Sequence, residues 1–145
     1  MKIIIEEPAP GEEDTVIVKC RNLSPEIMQV INKLKTIDDM LIAYEGNEIH
    51  RVNPTDIFYI DSVDNKTFLY CKQNVYESRQ KLYELEETLA GRDFLRISKA
   101  VIVNLSKIKS LAPALSGRLE ASLLNGEKVI VSRQYVGSLK KILGI

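Results

Sequence analysis

A series of short apolar runs, each closed off by turn-forming residues, limits the folds open to this 145-residue chain more than any other feature. The runs are rich in β-branched and aromatic residues and only four or five residues long, which is typical of strands. The predicted strands in this part of the chain are Leu41–Tyr44, Ile49–Val52, Ile57–Ile60, Thr67–Cys71 and Asn74–Ser78. Strands at this spacing predict a β-sandwich or meander, so the expected fold class is mainly β with a few helices (α+β).

A single amphipathic helix interrupts the strands. Leu82, Leu85 and Leu89 recur at helical spacing, and Gly91 supplies a C-terminal stop. The helix leads into the stretch 94–104, where Arg96, Ser98 and Lys99 stand between apolar residues. We interpret this stretch as a helix-to-strand connection. Its polar residues are either a binding loop or ordinary solvated charges.

The remainder of the chain returns to strands and ends in a helix. The predicted elements are strands at Ala100–Asn104, Ile108–Leu111, Arg118–Leu124 and Lys128–Val131, and a helix at Arg133–Leu143 capped by Ser132. Asn125-Gly126 predicts a type I′ hairpin turn. Residues 61–66, which are largely polar, predict a loop between two strands.

Residues 1–37 form a separate pattern. Lys2–Ile5 and Thr15–Cys20 predict two strands, and Ser24-Pro25 predicts the start of a helix that ends near Thr36. We therefore predict a small β-β-α unit at 1–37, serving packing, dimerisation or partner docking, and a second domain at 38–145.

Charge is unevenly distributed along the chain. Residues 1–50 carry 5 lysines and arginines against 10 acids, whereas residues 98–145 carry 8 against 2. Such asymmetry is typical of a basic half with an anionic partner, although basic tails also occur in proteins without one.

Catalytic and metal-binding patterns are missing from the sequence. His50 is the sole histidine, and Cys20 and Cys71 lack metal-type spacing. The sequence has no nucleophile–base pair, no secretory leader and no apolar run long enough to span a bilayer. We therefore expect a cytoplasmic protein with free thiols and without enzymatic activity, cofactor or small-molecule substrate.

Several motifs, in the right order, make residues 51–145 resemble the LytTR family of DNA-binding domains. Asn53–Ser62 resembles its opening "DI-x-YIE" pattern, and Gln80–Leu89 with Phe94–Lys99 resembles "L-x-x-LE…F-x-R-x-H-R/K-S". Val103–Ile108 matches "V-N-x-x-x-I", and Val129–Tyr135 matches "P-V-S-R-x-Y". Two departures are Ser98, where the family often has His, and Gln134, where it often has Arg.

The resemblance implies an elongated β-sheet domain that reads the DNA major groove through three loops. By position these loops are Asn65-Lys66-Thr67, Ser98-Lys99 and Arg133-Gln134-Tyr135. The expected base readers are Asn65, Lys99, Arg133 and Gln134, because amides pair with adenine and cationic side chains with guanine. Lys66, Lys107, Lys140 and Arg96 are expected to contact phosphates or to be structural; Arg96 alternatively pairs with a local acid such as Asp93. Tyr135 is expected to pack within the domain.

The predicted function is therefore sequence-specific, DNA-binding transcriptional regulation. The resemblance further implies double-stranded DNA with direct repeats, a homodimer and a membrane-protein regulator as partner. Many members of the family carry a receiver domain in front; residues 1–37 are too few for one, so no aspartate phosphorylation switch is expected. A different class of protein remains open, namely a protein-interaction module that docks a partner on its β-sheet. An RNA-binding domain is a third alternative, for which Phe68 and Tyr70 are the nearby aromatics; we expect both on the core face.

Overall fold

The computed structural model describes residues 1–37 and 40–145, and the chain divides into two compact units, Met1–Ile37 and Asp38–Ile145. Asp38 and Asp39, which directly follow the predicted domain boundary, lie outside the described residues.

The first unit contains one helix, α1 (Pro25–Ile37). The Ser24 hydroxyl accepts a hydrogen bond from the Ile27 amide at 3.2 Å, which confirms the predicted helix start. The two predicted strands are wrong, because residues 1–24, all of which are described, contain no strand. A strand needs a neighbour for its backbone hydrogen bonds, and neither Lys2–Ile5 nor Thr15–Cys20 has one in this structure.

In the second unit, the described residues form ten strands and two α-helices. In chain order they are β1 (Leu41–Glu45), β2 (Glu48–Val52), β3 (Ile57–Val63), β4 (Lys66–Cys71), β5 (Val75–Ser78), α2 (Leu82–Thr88), β6 (Phe94–Ser98), β7 (Val101–Asn104), β8 (Ile108–Pro113), β9 (Leu119–Leu123), β10 (Lys128–Val131) and α3 (Arg133–Leu143). A seven-stranded sheet has the order β2-β1-β5-β4-β3-β7-β6, and a three-stranded sheet has the order β10-β9-β8. The prediction of a mainly β fold with a few helices is confirmed.

The hairpin between β3 and β4 is tighter than the sequence predicts. The expected loop over residues 61–66 is wrong, because β3 continues to Val63 and β4 begins at Lys66. Only Asp64 and Asn65 form the turn, with φ angles of 51° and 63°. A two-residue turn with both φ values positive is the type I′ class, and Asp and Asn tolerate this conformation better than most residues do.

The stretch 94–104 is also a hairpin and not a helix-to-strand connection. Phe94–Ser98 is strand β6, which pairs antiparallel with β7. The expectation of a loop at residues 94–99 is therefore wrong, since Phe94–Ser98 pairs with β7 and Ile97 is fully buried. Lys99 and Ala100 form the turn.

The β9–β10 hairpin forms as predicted, but its turn is not type I′. Gly126 has a φ of 89°, whereas Asn125 does not have a positive φ. The Gly126 amide donates to the Leu123 carbonyl at 3.0 Å, and the Glu127 amide donates to the Asn125 side chain at 3.0 Å. A turn over Leu123–Gly126 with Gly in the left-handed position produces this pattern.

Two apolar clusters stabilise the second unit. In one, Leu82 and Leu85 of α2, with Leu89 at its C-cap, pack against the large sheet. In the other, Ile97, Val103, Leu123, Val131 and Leu139 join the small sheet and α3 to the end of the large one. These buried side chains fix where the ends of the strands and of α3 lie.

Strand β4 has a different core face from the one expected. Thr67 and Leu69 are buried, whereas Phe68 and Tyr70 are half-buried on the other face. The prediction that Phe68 and Tyr70 point into the core is therefore wrong. On this face Tyr70 stacks on Tyr59 with ring centroids 4.3 Å apart. The stacking partly covers both aromatic rings.

The asparagine of the "V-N" pattern, Asn104, has a structural role. Its side chain is buried, and the amide nitrogen donates to the Ile57 carbonyl at 2.8 Å. Its amide oxygen accepts from the Ser106 amide at 3.1 Å and from the Ser106 hydroxyl at 2.7 Å. Asn104 therefore fastens the start of β3 to the turn that follows β7.

Candidate nucleic-acid interface

Two hairpin turns lie side by side at one end of the seven-stranded sheet. Strands β3 and β7 are neighbours, with Asp61 opposite Val101. Beyond this pair, the Ser62 amide donates to the Ala100 carbonyl at 2.9 Å. The β3–β4 turn, which carries Asn65, is thereby placed next to the β6–β7 turn, which carries Lys99.

The start of α3 joins the same end. The Ser132 amide donates to the carbonyl of Ile97 at 2.8 Å. Ile97 directly precedes Ser98, the last residue of β6. Ser132 is the N-cap of α3 but makes no side-chain cap hydrogen bond. Arg133 and Gln134 in the first turn of α3 are consequently held beside the β6–β7 turn.

We call the side chains that these three connections present the loop face, which comprises Asn65, Lys66, Ser98, Lys99, Arg133 and Gln134. All are exposed except Ser98, which is half-buried. The Ser98 hydroxyl accepts a hydrogen bond from the Ala100 amide at 3.3 Å. The loop face thus combines three cationic side chains with two amide side chains.

Two further residues of the predicted loops do not belong to the loop face. Thr67 is 4% exposed, so its side chain is not available at the surface. Tyr135 is half-buried and packs against the second apolar cluster, as expected.

Lys107 and Lys140 also lie apart from the loop face. Lys107 follows the opposite end of β7, and its Nζ atom lies 5.1 Å from the centre of the Phe58 ring. Lys140 is exposed in the last turn of α3, about 10 Å along the helix from Arg133 at 1.5 Å per residue.

The Arg96 side chain stabilises the β6–β7 turn through hydrogen bonds to its backbone. Its Nε atom donates to the Ser98 carbonyl at 2.9 Å, and one terminal nitrogen donates to the Lys99 carbonyl. The other terminal nitrogen lies 3.5 Å from a carboxylate oxygen of Glu86 in α2. The ion-pair partner is therefore Glu86 and not Asp93, because α2 packs directly over β6. A guanidinium engaged in this way positions Lys99.

The connection between β8 and β9 also lies in this region, although none of the three predicted loops includes it. Leu119 pairs with both Pro113 and Val131, so residues 114–118 lie at the end of the small sheet where α3 starts. A Cβ atom on Gly117, whose φ is 75°, would lie 3.0 Å from Arg133 Cδ. The connection also carries the exposed Arg118. The one signal in the sequence was the Pro113–Gly117 turn composition next to an arginine.

An acidic residue lies behind the two hairpin turns. Burial raises the pKa of Asp61, and a hydrogen bond from the Tyr70 hydroxyl opposes this increase. Burial is also the main reason why the pKa of Tyr70 is raised, with the negative charge of Asp61 adding to it. The Asp61 Oδ1 atom is buried without a hydrogen-bond partner among the described residues.

A cleft of about 700 Å³ lies at the end of the large sheet away from the loop face. Its lining includes Arg51, Cys71, Lys72 and Lys107. Burial raises the pKa of the Cys71 thiol to about 11, which keeps it protonated at neutral pH and makes it a poor nucleophile. Among residues 1–37 and 40–145 no cluster of three or more histidine, cysteine or acidic side chains could hold a metal ion.

In the same described residues, none of the helices has both the length and the apolar character needed to cross a membrane.

Comparison with known proteins identifies the family of the second unit. The family model of the LytTr DNA-binding domain matches residues 47–144. A solved LytTr DNA-binding domain from Bacillus cereus is similar, with a TM-score of 0.70, 26% identity, and coverage of 73% of this chain and 97% of that chain.

Two curated relatives extend the similarity beyond that domain. The sensory transduction protein LytT of Enterococcus faecalis is 29% identical over 94% of this chain, which spans 58% of that relative's length. An uncharacterised HTH-type transcriptional regulator of Staphylococcus aureus strain MSSA476 is 26% identical over the full length of this chain and 99% of its own.

The family match covers more than half of the chain and includes every residue of the loop face. The chain therefore belongs to the LytTr DNA-binding domain family, and its function is DNA binding in transcription regulation.

Proposed function

We propose that this protein reads the sequence of double-stranded DNA in the major groove through its loop face. The observation that carries the proposal is the convergence of three separate connections at one end of the sheets, each presenting exposed polar side chains. Two hydrogen bonds, from Ser62 to Ala100 and from Ser132 to Ile97, hold these connections together. A pre-formed set of side chains of this kind can enter a groove without reorganising the backbone.

The side chains of the loop face divide into two roles. Asn65 and Gln134 can each pair bidentately with adenine, and Lys99 and Arg133 can bind the O6 and N7 atoms of guanine. Lys66, beside the β3–β4 turn, neutralises a phosphate. The uncapped amides at the start of α3 favour a further phosphate. Ser98 orients the turn through its bond with Ala100.

Lys107 and Lys140 are left outside the base-reading set. The contact of Lys107 with Phe58 supports a structural role. Lys140, exposed near the end of α3, is suited to a phosphate flanking the site. Thr67 does not contact DNA in this proposal, because its side chain is buried.

We also propose that the protein acts in the cytoplasm as a homodimer on direct repeats, without enzymatic activity, under the control of a membrane-protein regulator. The resemblance to the family supports the repeats and the regulator. The similarity to a protein named as a transcriptional regulator runs over the full length of this chain, so it includes residues 1–37. This first unit supplies dimerisation or partner docking. The alternative of a protein-interaction module without DNA is not favoured, because the match is to a DNA-binding family.

Selection of genomic fragments by the purified full chain tests the proposal. We expect enrichment of one motif, and Asn65→Ala should relax base preference at one position of that motif while Lys66→Ala weakens binding to all sequences alike. Lys72→Ala is the matched control, because Lys72 is an exposed lysine at the opposite end of β4. Absence of any enriched motif, or equal losses for Lys66→Ala and Lys72→Ala, would contradict the proposal.

A further inference from the structure

Two segments of the first unit have strand character but no partner. No backbone–backbone hydrogen bond among the described residues involves residues 2–7 or 14–21. Alternate residues of both segments nevertheless line one cleft of about 700 Å³; they are Lys2, Ile4, Glu6, Thr15, Ile17 and Lys19. Met1 and two residues of α1, Glu26 and Ile27, complete its lining. Every second residue on one side is the geometry of a β-strand.

The apolar side chains of these segments are uncovered. Ile4 is 66% exposed and Ile17 is 74% exposed. Unpaired strand backbone beside exposed β-branched residues is a template for pairing with another chain.

The charge pattern works against pairing within one chain. Both segments carry their acids next to the connecting residues 8–13 and their bases at the far end. An antiparallel hairpin with Ile4 opposite Ile17 would place Lys2 opposite Lys19 and Glu7 opposite Asp14. Like charges directly opposite each other destabilise a strand pair.

The same pattern favours pairing between two copies. When residues 2–7 of two copies run antiparallel across a twofold axis at Ile4, each Lys2 lies opposite Glu6 of the second copy. A self-complementary patch of this kind is what a twofold interface requires. Opposite charges in facing positions stabilise the pair.

The second segment fits the outer side of this central pair. Residues 14–21 of one copy, running parallel to residues 2–7 of the second copy, place Lys19 beside Glu6 and Ile17 beside Ile4. The two segments of one chain are then separated by a strand from the other copy, which agrees with their positions on a shared cleft without hydrogen bonds between them.

We propose that two copies of this chain join through an intermolecular four-stranded sheet, with residues 2–7 of both copies as the central antiparallel pair and residues 14–21 as the outer strands. The inference rests on the homodimer proposed above and not on the DNA contacts. The occupant of the cleft is a second copy of this chain.

The first test measures the oligomeric state of the full chain by sedimentation equilibrium without DNA. Ile4→Asp, which sets two carboxylates against each other at the axis, should raise the dimer Kd at least about tenfold. Leu115→Asp is the control, because Leu115 is a comparably exposed apolar residue in the second unit and its replacement should leave the Kd unchanged. Circular dichroism checks that both variants keep the β fold.

The second test locates the axis by disulfide formation. In a Cys20→Ser, Cys71→Ser background, Ile4→Cys should give disulfide-linked dimers on oxidation, because facing Cα atoms of a strand pair lie about 4.5–5.5 Å apart. Glu7→Cys should give none, since the two copies of residue 7 would be about 20 Å apart at 3.3 Å per residue.

The outcomes separate this inference from the proposals before it. A dimer that survives Ile4→Asp, or one that links through Glu7→Cys and not Ile4→Cys, overturns the strand arrangement alone. A chain that stays monomeric at every concentration, or that binds only another protein through this cleft, overturns the arrangement and the free homodimer together. The enrichment of a DNA motif is measured in a separate experiment, and its result does not depend on how the two copies associate.

Discussion

Similar β-branched runs occur in both units of this chain, but they form a strand only in the second unit. In the second unit the run Ile57–Ile60 lies between β4 and β7, and Ile57 and Ile60 are fully buried. In the first unit the run Lys2–Ile5 has no neighbouring strand, and Ile5 is 93% exposed. The comparison shows that a run of this composition is competent to form a strand, but a partner decides whether it does.

The largest expected effect tests this contrast through stability. Leu85→Ala in α2 should lower the free energy of unfolding by about 2–5 kcal/mol, because it leaves a cavity in the first apolar cluster. Ile5→Ala should change the unfolding of the second unit by less than about 0.5 kcal/mol, because exposed side chains contribute little. Urea denaturation monitored by circular dichroism measures both values. Equal losses for the two variants would contradict the contrast.

A second prediction concerns the turn that carries Lys99. Arg96→Gln removes the hydrogen bonds to the Ser98 and Lys99 carbonyls, so we expect DNA affinity to fall about tenfold, or 1.4 kcal/mol. Because Arg96 acts by positioning, the slope of affinity against salt concentration should not change. A decrease of the slope by about one unit would show instead that Arg96 contacts a phosphate.

A third prediction concerns the connection at residues 114–118. Gly117→Ala forces an L side chain into a positive φ and displaces Arg133, so we expect a stability loss of about 1 kcal/mol together with weaker DNA binding. Gly46→Ala is the control, since Gly46 has a φ of 59° with open space around it. It should lose stability comparably and keep full DNA affinity. A DNA defect of the same size in both variants would argue against contact between Gly117 and Arg133.

The smallest expected effect is a pH dependence. The pKa of Asp61 is raised in the folded protein, so the folded state binds this proton more tightly than the unfolded state does. Stability from this group is therefore fully present below the unfolded pKa of about 3.9 and is lost as the pH rises through the raised value. Asp61→Asn should flatten the decrease in stability that sets in as the pH rises above the unfolded-state pKa. An unchanged pH profile of the melting temperature would contradict this assignment.

Much of the second unit could be predicted from sequence because its strands are short, β-branched and closed by turn residues. What could not be predicted depends on partners distant in sequence. The residues Asp61–Val63 look polar enough for a loop, yet pairing with β4 extends β3 through them. Likewise, Phe94–Ser98 becomes a strand because β7 lies beside it.

In the candidate site too, some features follow from local sequence and others depend on residues distant in sequence. The exposed positions of Asn65 and Arg133 follow from a polar turn region and a helix start that the sequence identifies. The turn that carries Lys99 forms because β6 pairs with β7. The burial of Thr67 depends on the register between β4 and β5, and the partner of Arg96 depends on how α2 packs. Neither could be derived from local composition.

The most direct test of the central claim is the affinity of Lys99→Ala for the selected DNA fragment over a range of salt concentrations, beside Lys72→Ala. We predict that Lys99→Ala lowers affinity by about 1–3 kcal/mol and relaxes base preference at one position. Lys72→Ala, with an exposed lysine removed from the far end of the same sheet, should match the wild type. Equal behaviour of the two variants would contradict the claim that the loop face reads DNA.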